Sequence, residues 1–138
     1  MKSTIRTAML SLAASLLLVS MTADAHHSFP AQYDVNKQIM LEGKVTRVEW
    51  TNPHIFIYLD VQDPTSGEVL NWALELGGPN ALLRLGWKRN SLKIDDAITV
   101  EGSLARNGSP LVNATTIILN ETGQRMLAGS SRESRTAK

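Results

Sequence analysis

The sequence predicts an all-β domain, a small OB-like five-stranded β-barrel with one short helix between the third and fourth strands. Three observations predict it. Between Ile39 and Leu119, apolar residues recur mainly with a period of two, in runs separated by Gly, Pro, Asn and Asp. The runs fall in the order three strands, a helix-sized segment, then two strands, which suits such a barrel. The first run is long and contains a glycine, as a strand bent around a barrel requires. An open β-sandwich or half-barrel built from the same hairpins is the rival architecture.

The first strand is expected over Ile39 to Trp50. Ile39, Leu41 and Val45 share one parity, whereas Val48 and Trp50 take the other. That switch predicts a bulge between Val45 and Val48, with Gly43 easing the bend. The second strand, His54 to Val61, alternates more cleanly. Ile55, Ile57, Leu59 and Val61 would face the core, and His54, Phe56, Tyr58 and Asp60 the opposite side. Asp63 to Gly67 has turn composition and joins this strand to the third as a hairpin. There Leu70, Trp72, Leu74 and Leu76 share the core parity. Gly77-Gly78-Pro79 breaks the strand. Pro79 suits the first turn of a helix and Gly86 its stop, so a helix is expected over Asn80 to Leu85, with Leu82, Leu83 and Leu85 on its apolar side. Asp95-Asp96 leads into the fourth strand (Ile98, Val100, Leu104). Asn107 to Pro110 turns the chain, and Leu111 to Leu119 is the fifth strand. Trp50, Trp72 and Trp87 read as structural aromatics. From Glu121 onward apolar periodicity is lost. The domain is therefore expected to span 26–127, followed by a disordered tail over 128–138.

Composition sets the class. The chain has 138 residues, is 43% hydrophobic and 20% charged, and contains no cysteine. It is too short for two ordinary domains and too apolar for a disordered chain. Disulfides, thiolate metal sites and cysteine nucleophiles are excluded. Lys2 and Arg6 precede a twelve-residue apolar run, Ala8 to Val19, and Ala23-Asp24-Ala25 follows as a small-x-small cleavage site. This is the pattern of a secretory signal peptide over 1–25, the apolar run being shorter than the roughly 20 residues of a membrane span. The expected mature protein begins at His26, has no membrane span, and is periplasmic or secreted. It carries 12 basic and 12 acidic residues, so nothing in its charge favours nucleic acid. Phosphate-loop, dinucleotide and serine-hydrolase fingerprints are missing from the sequence.

Concentrated chemistry lies in three histidines. The mature chain would begin His26-His27-Ser28-Phe29, and the third is His54 in Trp50-Thr51-Asn52-Pro53-His54. Cleavage after Ala25 frees the α-amine of His26. Amine and imidazole both shed protons near neutral pH, so they can chelate one ion together. A third nitrogen, from His54, completes the T-shaped set called a histidine brace, with His27 as substitute or fourth ligand. Nitrogen-rich tetragonal sites favour copper. The expected role is metal binding or delivery rather than catalysis. The alternatives are a metal-free OB-type module that holds a peptide, a glycan or an envelope protein partner, and a plain structural subunit. Glu49, Asp60 and Glu75 could supply acid–base chemistry or an oxygen ligand, but alternation places them on solvent faces. Phe56 and Tyr58 could form an aromatic platform beside His54 or pack under a loop or the N-terminal segment. Lys88, Arg89 and Lys93 read as a solvated basic loop.

Several stretches together resemble a family of short secreted bacterial proteins of unknown function. They are His26-His27-Ser28-Phe29, Glu49-Trp50-Thr51-Asn52-Pro53-His54, Asn71-Trp72 through Glu75-Leu76, Pro79-Asn80-Ala81-Leu82, Gly86-Trp87 and Asn90-Ser91-Leu92-Lys93. The resemblance extends from His26 to about Leu127 and leaves the tail from Ser130 outside. It implies histidines at both the mature N-terminus and the Asn-Pro-His corner, consistent with a shared site, and it implies no activity.

Overall fold

The computed structural model describes residues 29–130. The expected signal peptide, its cleavage bond, His26, His27 and residues 131–138 of the expected tail lie outside the described residues. Within them the protein is mostly β. A helical turn, α1 (Phe29–Gln32), leads into β1 (Tyr33–Glu49). Then come β2 (Phe56–Gln62), β3 (Val69–Glu75), a short helix α2 (Pro79–Arg84), β4 (Ala97–Ala105), β5 (Leu111–Leu119) and β6 (Arg125–Leu127). The all-β expectation holds, with six strands instead of five.

The long first strand starts earlier than its apolar pattern suggests. Its opening residues, Tyr33-Asp34-Val35-Asn36-Lys37, carry too few apolar side chains to alternate. What makes them a strand is pairing: β1 runs antiparallel to β4 from Tyr33 opposite Ala105 to Lys44 opposite Ala97. It then runs antiparallel to β2, from Lys44 opposite Asp60 to Glu49 opposite Phe56. Register slips between Val45 and Arg47, where the parity switch predicts the bulge. Gly43 is required at the bend, because a side-chain carbon there would collide with the Asp60 carbonyl oxygen of β2.

The β2–β3 hairpin forms as expected. Asp63 Oδ1 accepts hydrogen bonds from the Thr65 and Ser66 N–H groups, both at 2.8 Å, and Gly67 takes φ 74°. Those donated N–H bonds, Ser66 first, hold the Asp63 carboxyl below the usual range. Beyond the hairpin, β3 pairs in parallel with β5 over Ala73, Leu74 and Glu75. Hydrogen-bonded neighbours therefore run β1, β2, β3, β5, β4 and back to β1, with β6 added on the far side of β5. Because β3 meets β5 only from Ala73 onward, its earlier half projects. Leu70, expected in the core, is exposed, and Trp72 is half-buried against the core.

The helix α2 has Pro79 in its first turn, Gly78 before it, and Gly86 at φ 89° after it. So short a helix has one inward position. Leu82 is fully buried, whereas Leu83 and Leu85, expected beside it, are exposed. Leu82 joins Val45, Ile55, Ile57, Leu59, Leu74, Leu76, Ile98, Val100, Val112 and Ile117 in the main core. A second, separate cluster gathers Phe29, Tyr33 and Ala105, with Val35 and Leu111 packed against it.

The C-terminal side departs furthest from expectation. Strand β6 pairs with β5 from Leu127 opposite Thr116 to Arg125 opposite Ile118. The first residues of the expected tail are packed. The Ala128 N–H donates to the Thr115 carbonyl and the Gly77 N–H donates to the Ala128 carbonyl, each at 2.9 Å. Ala128 and Ser130 are fully buried. Backbone bonding and small side chains hold this segment, and neither leaves an apolar period in the sequence. Among the described residues, no helix is long and apolar enough to cross a membrane.

Candidate functional site

His54 lies in the connection just ahead of β2 rather than within the strand. Its position is set on both sides. Pro53 precedes it, and Ile55 follows, fully buried. The Ile55 N–H donates to the Gly77 carbonyl at 3.2 Å, and the Leu76 N–H donates to the Ile55 carbonyl at 2.9 Å. The imidazole then meets two acceptors at one nitrogen. Nδ1 stands 3.1 Å from the Leu76 carbonyl oxygen and 3.3 Å from Glu75 Oε1. Two acceptors at Nδ1 assign the proton of the neutral ring to it, which leaves the lone pair on Nε2. The His54 side chain is 37% exposed and that of Glu75 10%. The ring is therefore partly exposed, with Nδ1 held against a largely buried carboxylate.

Glu75 is the residue whose environment the sequence conceals. Alternation places it correctly on the face opposite Leu74 and Leu76, but that face is not solvent here. Tyr33, the first residue of β1, lies over it, and its hydroxyl donates to Glu75 Oε2. Gln32 Nε2 donates in turn to the Tyr33 hydroxyl oxygen at 3.3 Å. The Phe29 ring packs on the Tyr33 ring with centroids 5.4 Å apart. Burial, then the bond and charge of Glu75, push the Tyr33 phenol far above its ordinary range, so it stays a neutral donor. The aromatic pair has a local signal in the spacing of Phe29 and Tyr33, but nothing in the sequence ties it to Glu75. Four residues apart, the two aromatics meet across one helical turn.

The same face continues across the sheet. Glu75 stands opposite Asn113 of β5, and Asn113 opposite Ser103 of β4. All three are buried. Ser103 Oγ accepts from Gln38 Nε2 at 2.8 Å, whereas neither carboxamide atom of Asn113 has a hydrogen-bond partner among the described residues.

The other candidates do not converge on His54. Glu49 accepts from the Tyr58 hydroxyl at 3.2 Å and pairs with Arg47 at 2.9 Å. Asp60 accepts from Asn71 Nδ2 at 2.7 Å. An open Phe56–Tyr58 platform is absent, because the Arg47 guanidinium covers the Tyr58 ring 3.7 Å from its centroid. Within the basic loop, Arg89 lies 5.9 Å from the Trp50 ring centroid. No group of three His, Cys, Asp or Glu side chains able to hold a metal occurs among the described residues. Of the three predicted ligands, His54 alone falls within them. The arrangement offers one imidazole nitrogen, oriented from behind by a carbonyl and a carboxylate.

Over residues 13–113 the chain matches the profile of a family of unknown function, DUF6152. No curated protein matches it.

Proposed function

The chain belongs to the DUF6152 family, whose function is unknown, and from the chemistry around His54 we propose that it is a periplasmic or secreted copper-binding protein. The ligands would be the amine and imidazole of His26, freed by cleavage after Ala25, and Nε2 of His54. His27 would serve as a substitute or fourth ligand. The observation that carries this reading is the state of the His54 ring. Metal-binding histidines characteristically donate their second N–H to a carboxylate or a backbone carbonyl, which fixes the ring and raises its basicity. His54 Nδ1 has one of each. The chain path supports it too. His26 is three residues from Phe29, a span of at most about 10 Å. Phe29 packs on Tyr33, Tyr33 bonds Glu75, and Glu75 meets His54.

This reading takes the fold as an OB-like barrel. Its support is the circuit of pairings β1-β2-β3-β5-β4-β1, the parallel β3–β5 contact, and α2 between β3 and β4.

The test combines intact-mass analysis with copper titration. The secreted protein should begin at His26. It should bind one Cu(II) per chain with a nitrogen-rich tetragonal electron paramagnetic resonance spectrum. His54→Ala should weaken binding strongly. So should one residue added before His26, which removes the terminal-amine chelate and keeps every side chain. His27→Ala should cost less. If the extended chain binds copper as tightly as the mature one, the brace is wrong. If His54→Ala also binds unchanged, the N-terminus alone is a loose copper chelator, and the barrel is better read as a binding module for another ligand.

A further inference from the structure

We propose that Tyr33 is a positioning residue for this site, its hydroxyl fixing Glu75 and, through Glu75, the His54 ring. The inference rests on the copper reading above. A carboxylate has two oxygens, and here they are divided. Oε2 is taken by the Tyr33 hydroxyl and Oε1 faces His54 Nδ1. Without the hydroxyl, Glu75 would be a buried carboxylate with one side-chain partner, free to turn about its last torsions. Its neighbour across the β3–β5 pairing, Asn113, has a carboxamide without a hydrogen-bond partner among the described residues, and its Nδ2 could donate to the freed oxygen. The Tyr33 bond therefore holds the carboxylate on the His54 side.

Tyr33 is itself fixed from the chain's N-terminal side. Gln32 bonds its oxygen, Phe29 packs on its ring, and its backbone pairs with Ala105 of β4. The segment that would carry His26 into the site thus joins the sheet at the residue that orients His54. One tyrosine ties the two ligand sources together. Phenylalanine would keep the ring contact and remove only the hydroxyl.

The experiment uses the mature full-length chain and Tyr33→Phe, with two readouts. In the metal-free protein, nitrogen-15 and proton resonances of His54 should shift in the variant, and the Nδ1–H proton should exchange with water at least tenfold faster. In a Cu(II) titration the variant should lose about tenfold or more in affinity, the usual effect of removing an outer partner of a metal ligand. Unchanged His54 resonances and exchange, or copper affinity equal to the parent's, overturn the assignment. If Tyr33→Phe fails to fold, Glu75→Gln takes its place with the same readouts and the same two overturning results. A parent chain that binds no Cu(II) removes the copper reading instead. The exchange measurement then still decides whether Tyr33 orders His54.

Discussion

Single residues here behave according to the face they share and to what covers that face. Trp72 has the parity of Leu74 and Leu76, yet it is only half-buried, because it sits where β3 has not yet met β5. Trp72→Ala should therefore cost about 2 kcal/mol, less than the ~3–5 kcal/mol of a fully buried aromatic. A denaturant midpoint unchanged from the parent's would show that Trp72 contributes no packing. Tyr33 makes a pH prediction. Burial and Glu75 favour its neutral form in the folded chain, whereas in the unfolded chain a tyrosine ionises near pH 10. A group whose folded pKa is raised stabilises fully below its unfolded value, and that contribution is lost as pH rises beyond it. Melts of the parent should therefore fall more steeply above about pH 10 than melts of Tyr33→Phe. Parallel alkaline limbs would mean that Tyr33 ionises alike in both states. Alternation in the sequence fixes which side of β3 Glu75 takes. It cannot show that a tyrosine 42 positions earlier covers that side.

Elements were legible where local chemistry decides them. The Asp63–Gly67 turn, the proline and glycine that bound α2, and the slip between Val45 and Arg47 all follow from residues within a few positions. The start of β1 and the whole of β6 were not legible, because each is a strand only by virtue of its partner. Tyr33 pairs with Ala105, and Leu127 with Thr116. The segment after β6 shows how much such pairing matters. Ala128 bonds both Thr115 and Gly77, and a side chain on Gly77 would collide with the Gly129 carbonyl. A chain ended after Leu127 should melt roughly 5 °C or more below one ended after Ser130, since about 1 kcal/mol moves a domain of this size by some 4–8 °C. Equal melting temperatures would assign no stability to Ala128–Ser130.

At the scale of the whole molecule, the proposed copper binding would be linked to folding. A ligand that binds only the folded chain stabilises it by about 2.7 kcal/mol at a hundredfold excess over its dissociation constant. Cu(II) at that excess should raise the melting temperature of the mature protein and leave that of His54→Ala nearly unchanged. An equal rise in both would place the bound copper away from His54. The His54 corner was half legible: the histidine stood out by type and by its Asn-Pro neighbours, whereas Glu75 was named only as a carboxylate on a solvent face and Tyr33 did not stand out. The ring of strand pairings has a further consequence, for the time at which this protein can fold. Tyr33 must find Ala105, and Ala73 must find Leu111. A chain emerging from the ribosome can form the β1–β2–β3 meander early, but β1 waits for β4, and β3 waits for β5. Contacts so distant in sequence fold slowly. A nascent chain of this protein therefore keeps one edge of β1 and one edge of β3 without their strand partners until β4 and β5 have been made.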